Sequence, residues 1–460
     1  MEPFQFIRDP YRMKEVLQSR LPDFSNGNLL ISSCEIEHLL FKKSFKEGFQ
    51  RKASLGVGYI LEVFEPSTQK QGQLKLYGKA YLDGRSQKIF DSLPARVLTP
   101  PLFGEPLVHL PEWDLILWAF PNDPQLWHLP SLVDRQHVQD LLPFQQDSGI
   151  DTFSSHTLSV LGVHVVRYKP ELRCTLRYDL LVHTPSSSRP ITIYAKAFPD
   201  GQCEGIYERT QFFAEQALKH PDGFFVPKPL GLNSAINTIW QPSVPGRSLL
   251  EVLNPTTFHN LMTLVGKGLA RFHMSPLSMP RKMSVPNQLQ EARKRLGKIY
   301  RHCPERQDSL ETCLATLEER AACFPSIRET VIHGDFHAEQ LLVSEDRIAL
   351  FDFDDLAFGD PLQDVADFMA QLHFYDYTPD CIQDMSMAFC RAYANHVSWE
   401  VSPERLDWHM RIHFMRKACR EFLQPPSPDL QRMEYFLTLA CEGSLREIHC
   451  STTFSLATGI

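Results

Sequence analysis

Between residues 157 and 198 the chain runs through LSVLGVHVVRY, CTLRYDLLVH and ITIYAKAF, three stretches rich in branched and aromatic residues and separated by turn chemistry. Successive strand side chains leave opposite faces, so such runs predict three antiparallel strands. The period lengthens over 203–218, CEGIYERTQFFAEQAL, which predicts a helix; two short strands are expected near GFFVPKPLGL and INTIWQPSV. After about residue 250 apolar residues recur at helical spacing in FHNLMTLVGKGLARFHM, LQEARKRLGKIY and SLETCLATLEERAACF. Proline clusters at 98–106, 183–190, 225–231 and 425–428 read as turns or loops. The pattern is α+β, a five-stranded lobe with one helix followed by a helical lobe.

The first 150 residues hold a partial copy of that lobe. LYGKAYLDG (76–84) and IYAKAFPDG (193–201) share Tyr, Lys, Ala, Asp and Gly in register, a shift of 117 residues. Held without gaps from Lys52 to Asp91, the shift pairs Lys79 with Lys196 and Asp91 with Glu208. Further on, LILWAF resembles NTIWQP with the shift drifting by a few residues, so a duplicated small lobe is favoured over two sheets of chance-similar composition. A length of 460 residues exceeds one ordinary core. Three domains are expected, at 1–150, 151–250 and 251–460.

Composition narrows the partners. Apolar residues at 43% and charged residues at 22% are ordinary globular values, and no apolar run approaches the roughly 20 residues of a membrane span. The N-terminus MEPFQFIRDPYRMKEVLQ carries charge throughout and does not read as a secretory signal. Eleven cysteines without a CxxC pair fit a reducing compartment, so the cytoplasm is expected. A formal charge of -8 offers no general field for a polyanion, which argues against nucleic acid. Nothing in the pattern fixes an oligomeric state.

The densest chemistry is HGDFHAEQ, residues 333–340. His333, Asp335 and His337 are all competent divalent ligands, which opens a metallohydrolase reading. Such a centre needs further His and Asp clusters, and the remaining histidines are isolated. Phosphoryl transfer asks instead for a second aspartate beyond a hairpin, and LLVSEDRIALF leads to Asp352 and Asp354 in FDFDD. In kinases one loop aspartate orients the acceptor hydroxyl, a loop amide holds magnesium, and the second aspartate holds magnesium between phosphates. Asp335, Gln340 and Asp352 fit those three roles.

HGDFHAEQLL, LFDFDD and GDPLQDVA together resemble the aminoglycoside phosphotransferase and choline kinase superfamily over about residues 155–460. The resemblance implies a protein-kinase-like two-lobe fold, with ATP and Mg²⁺ as cofactors. Gln340 stands where the family usually has Asn and is similar to the maltokinase-type branch, which favours a sugar or amino-sugar acceptor and implies an N-terminal cap. Asp354 adds a further candidate metal ligand. Lys196 in IYAK matches the lysine that reaches the nucleotide phosphates, with Glu208 as its first-choice partner and Glu204 and Glu215 as rivals. The expected phosphate loop, YKPELRCTLRY, has no glycine, so Arg173, Arg177 or Lys169 could meet phosphate through their side chains. Trp240 in NTIWQP falls at the expected adenine hinge, as core or pocket wall. His333 is expected to orient the loop, His337 to face the acceptor or cap the loop, Asp360 and Asp364 to fix the loop, and His273 to be structural.

The expected activity is ATP-dependent phosphorylation of a hydroxyl on a small molecule. Aminoglycosides, amino alcohols and natural-product hydroxyls are alternative acceptors, and acidic residues of the 404–447 tail could attract a cationic one. A catalytically silent kinase-fold binding protein is the alternative of another class, motivated by the glycine-free loop and by Gln340.

Overall fold

The computed structural model describes residues 6–44, 52–81, 83–93, 98–143, 157–183, 186–254, 256–277, 279–300, 303–344, 347–423 and 429–443. The boundary expected near residue 150 and the proline cluster at 425–428 lie outside them. The chain divides into two compact units, one of residues 1–208, 229–243 and 423–428, the other of residues 209–228, 244–422 and 429–460.

Two five-stranded antiparallel sheets build the first unit. One contains β1 (Leu30–Ser44), β2 (Lys52–Glu65), β3 (Lys70–Tyr81), β4 (Leu107–Leu110) and β5 (Leu115–Ala119), in the order β1-β2-β3-β5-β4. The other contains β6 (Thr157–Lys169), β7 (Arg173–His183), β8 (Ser188–Ala197), β9 (Gly231–Asn233) and β10 (Thr238–Pro242), in the order β6-β7-β8-β10-β9. Order and register both repeat. Lys79 stands opposite Ile116, and Lys196 opposite Ile239. Each β4-β5-type hairpin turns through a 3-10 segment, Pro111–Trp113 or Ser234–Ile236, into a left-handed residue, Asp114 at φ 50° or Asn237 at φ 47°. The ladder aligns Ile116 with Ile239 and therefore Trp118 with Gln241, one residue away from the tryptophan-on-tryptophan match read from the sequence.

The copies differ in what covers them. Helix α1 (Pro10–Arg20), capped by the Asp9 carboxylate on the Tyr11 and Arg12 N–H groups, packs Met13, Val16 and Leu17 into the core of the first sheet. The helix after β3 is α2 (Ser86–Asp91), only 6 residues long. On the second sheet, α3 (Leu129–Val133) and α4 (Arg135–Leu141) put Leu129, Leu132 and Val138 against Leu176, Tyr178, Leu180 and Trp240. The helix after β8 is α5 (Cys203–Lys219), 17 residues long, whose first turns bury Cys203 and Ile206 against Phe198 and Ile239.

The second unit is mainly helical: α6 (Phe258–His273), α7 (Val285–Tyr300), α8 (Gln307–Ala322), α9 (Leu362–Leu372), α10 (Pro379–Ala394), α11 (Pro403–Phe422) and α12 (Leu430–Glu442). Helix α6 meets α10 so closely that a Cβ on Gly266 would lie 2.5 Å from the Phe389 carbonyl oxygen. Two three-stranded sheets complete it, one of β11 (Arg247–Ser248), β14 (Leu341–Ser344) and β15 (Arg347–Leu350), the other of β12 (Lys282–Met283), β13 (Thr330–Ile332) and β16 (Ala357–Gly359). Every residue of α9 is buried, including Gln363, Asp364, Asp367 and Gln371, so this central helix needs polar partners on its neighbours. No helix among the described residues is long and apolar enough to cross a membrane.

Candidate active site

The HGDFHAEQ loop leaves β13 and is held from beneath by α9. Asp364, 0% exposed, accepts the N–H of His333 at 2.5 Å and of Gly334 at 2.9 Å. His273 Nε2 lies 3.0 Å from the same carboxylate, and its Nδ1 lies 2.8 Å from the Tyr393 hydroxyl. A carboxylate only accepts, so His273 donates through Nε2 and Tyr393 donates to Nδ1. Gly334 has φ 81°, and a Cβ there would meet the Asp355 carbonyl oxygen at 2.4 Å. Only glycine fits this turn without backbone movement. His333 donates from Nε2 to the Phe351 carbonyl at 2.9 Å and is ringed by Phe272, Phe336 and Phe353, the setting of an orienting residue.

Beyond the loop, β14 and β15 pair from Leu341 with Leu350 to Ser344 with Arg347. The Phe351 N–H donates to the Gln340 carbonyl at 3.1 Å, which continues the ladder and sets Asp352 beside Gln340. The Gln340 side-chain NH₂ donates to Asp352 Oδ2 at 3.3 Å and lies 3.3 Å from His337 Nε2. Asp352 adopts the left-handed conformation at φ 65°, and Asp354 follows in a 3-10 turn. His337 Nε2 is 3.6 Å from Asp335 Oδ2, and the Asp335 side chain is 45% exposed. Partial burial pushes the Asp335 carboxyl up, but the His337 imidazole outweighs it and holds the group below its ordinary range. The loop thus presents an ionised, reachable carboxylate next to an amide and a second carboxylate. One carboxylate plus one amide oxygen suits a hard cation that completes its shell with water and phosphate oxygens. Among the described residues, no group of three or more His, Cys, Asp or Glu is arranged to hold a metal ion.

In the second sheet, cross-strand partners share a face, and Lys196, Thr175 and Ile239 are partners. Arg173, Arg177 and Tyr194 project on that same face by alternation along β7 and β8. Arg177 Nη2 lies 3.3 Å from Asp179 Oδ2, so its charge already has a partner. Trp240 is a correction. It pairs with Ala195 on the opposite face, is 0% exposed and packs on Tyr178, so its ring is core and lines no nucleotide pocket. Glu208 lies exposed on α5, whereas Glu204 is occupied at the helix start by Cys203 and Ser234.

Three interior carboxylates have partners that the sequence did not indicate. Glu171, at the tip of the β6-β7 turn with φ 59° and 3% exposure, is ion-paired with Lys79 of the first sheet. Its N–H donates to Asp123 Oδ2 at 3.0 Å, which also accepts the Tyr168 hydroxyl at 2.7 Å. On α9, Asp367 lies 3.0 Å from His413 Nδ1 and 3.2 Å from Lys417 Nζ, and Lys417 also donates to Gln371 at 2.6 Å. Burial opposes the Asp367 charge, yet His413 and Lys417 hold this carboxyl far below its ordinary range. Asp360 is fixed in the same way by Arg405 at 2.7 Å and His409 at 2.9 Å. A signal was present, since α11 places Arg405, His409, His413 and Lys417 four residues apart on one stripe.

Residues 181–398 match the model of the phosphotransferase enzyme family. The match takes in Lys196, the 333–340 loop and Asp352. No curated protein matches. Among solved structures, a choline/ethanolamine kinase family protein from Mesorhizobium loti is 14% identical, with 68% of this chain and 95% of that one covered and a TM-score of 0.40. The AMP-bound complex of spectinomycin phosphotransferase is also 14% identical, covering 68% and 98% at a TM-score of 0.46. Amicoumacin kinase, in complex with AMP-PNP, Ca²⁺ and Ami, is 12% identical, covering 61% and 88% at 0.44.

Proposed function

Taking a phosphotransferase-family domain as the premise, we propose that the chain transfers the γ-phosphoryl group of ATP to a hydroxyl of a small sugar-like molecule. The observation that carries this reading is the adjacency of Gln340 and Asp352, 3.3 Å apart, at the end of a loop that also presents an ionised Asp335. Gln340 and Asp352, with Asp354 next to them, are the residues that would hold Mg²⁺, which when bound neutralises phosphate charge. Asp335 orients the acceptor hydroxyl and takes its proton as the oxygen attacks. His337 keeps that carboxylate ionised, and Asp364 holds the loop backbone in place. Lys196 contacts the nucleotide phosphates, and Arg173 is the side chain on its face of the sheet that would replace the absent glycine cradle.

The first sheet keeps a lysine in register with Lys196, but Lys79 is committed to Glu171. The N-terminal module is therefore a brace for the β6-β7 turn and not a second nucleotide site. The test is nucleotide-dependent thermal stabilisation with and without Mg²⁺, followed by ATP consumption over hydroxylated acceptors. Asp335→Asn should keep the Mg²⁺·ATP shift and lose about 10²- to 10⁴-fold in turnover, while Asp352→Ala should lose the metal-dependent shift. Wild-type turnover in Asp335→Asn would sink the assignment.

A further inference from the structure

We propose that Cys313 of α8 and Cys441 of α12 are a modification site, a dithiol that hydrogen peroxide closes into a disulfide and thereby staples α12 to α8.

Helix packing brings the two residues together. Cys313 Sγ lies 3.4 Å from the carbonyl oxygen of Ala440, on the peptide that leads into Cys441, and the two thiols hydrogen-bond each other. Arg411 of α11 donates from Nη1 to the Cys441 carbonyl at 2.8 Å and from Nη2 to the Glu442 carbonyl at 3.3 Å, satisfying the last turn of α12. Its Nε donates to Asp407 at 2.9 Å, and the same carboxylate accepts Arg320 of α8 at 2.9 Å. The Trp408 indole adds a bond to the Leu317 carbonyl of α8 at 2.7 Å. Three helices are thus tied to one another around the pair, and the sulfurs are held in register as they would not be on a loop. Both cysteines are half-buried and open to a small oxidant, whereas Cys174, Cys203, Cys390 and Cys419 are buried.

The surroundings also divide the labour. The hydrogen bond from Cys313 lowers the Cys441 thiol, burial opposes this, and the Arg411 guanidinium adds to the lowering, so Cys441 is held below the ordinary thiol range. The hydrogen bond to Cys441 and burial push Cys313 up. Cys441 is therefore the attacking thiolate and Cys313 the resolving thiol. The Cys441 thiolate attacks one peroxide oxygen; an S–O bond forms, the O–O bond breaks, and the hydroxide that leaves takes up the proton Cys441 had released, giving water and a sulfenic acid. Cys313 then attacks that sulfur; the S–S bond forms, the S–O bond breaks, and the departing hydroxyl carries off the Cys313 proton as a second water. The two sulfurs lose the two electrons that the peroxide gains. In a reducing compartment such a pair rests as thiols and closes only under oxidant.

The test treats the reduced full chain with limiting hydrogen peroxide, blocks the remaining thiols by alkylation and maps the peptides. The expected product is one cross-linked peptide pair holding Cys313 and Cys441, reopened by dithiothreitol. Closing so long a loop should raise the melting temperature by roughly 4–16 °C in the wild type and leave Cys313→Ser and Cys441→Ser unmoved by peroxide. Cys313→Ser should also trap a dimedone-reactive sulfenic acid on Cys441, and Cys441→Ser should leave Cys313 unoxidised. The wild-type peptide map decides the bridge even if a serine variant fails to fold. Both thiols alkylated after peroxide, oxidation of the exposed Cys323 ahead of the pair, or sulfinic acid on Cys441 without a bridge would overturn the proposal.

Discussion

Replacing Lys79 by methionine keeps the stem of the side chain and removes its charge. The Glu171 carboxylate it leaves is 1% exposed, whereas Lys79 is 18% exposed. Removing one partner of a buried pair costs about 3–5 kcal/mol, and the partial access of water to Lys79 sets the expectation near the lower end, about 3 kcal/mol. In a unit of this size each kcal/mol is worth about 2–4 °C, so the melting temperature should fall by roughly 6–12 °C. Thermal and urea unfolding of Lys79→Met, Glu171→Gln and the double variant measure the coupling. In the Glu171→Gln background the lysine substitution should cost less than about 1 kcal/mol. Well below the melting temperatures, ATP turnover of Lys79→Met should stay within a few-fold of wild type, whereas Lys196→Met should abolish it. Equal destabilisation in both backgrounds would refute the brace, and equal loss of turnover from both lysine substitutions would mean that Lys79 also serves a nucleotide.

Asp364→Asn leaves the loop N–H groups of His333 and Gly334 facing an amide that offers one acceptor oxygen in place of two, so stability should drop by about 2–3 kcal/mol, with turnover falling further than nucleotide affinity. Gly334→Ala must move either its own backbone or the Asp355 carbonyl, and it should abolish activity in a chain that still shows native circular dichroism. His373 is pushed down to about 4 by burial. Its folded value lies below the unfolded one, so the unfolded chain binds the extra proton, and stability present above pH 6.5 is lost as the pH falls toward 4, by roughly 3 kcal/mol in all. Urea midpoints at pH 7 and pH 5 should differ less in His373→Gln than in wild type; an unchanged difference would assign the acid sensitivity elsewhere.

The local pattern is enough to place the strands of the second sheet, because alternation of period two depends only on which face each side chain takes. It also locates the 333–340 loop, the hairpin after it and Asp352, since these lie within twenty residues and are tied by the β14-β15 ladder. The repeat identifies Lys79 as the counterpart of Lys196, but not its partner. Glu171 is 92 residues away and reaches Lys79 only once two sheets have folded. Whether Trp240 is core or pocket wall stays open in the sequence because a face is set by cross-strand register, and a one-residue difference in register exchanges core for surface. Asp360, Asp367 of α9 and the bases of α11 are visible as separate charges 45 and 50 residues apart. Their pairing follows from elements far apart in sequence packing side by side, where burial makes Asp360 and Asp367 each take a cation.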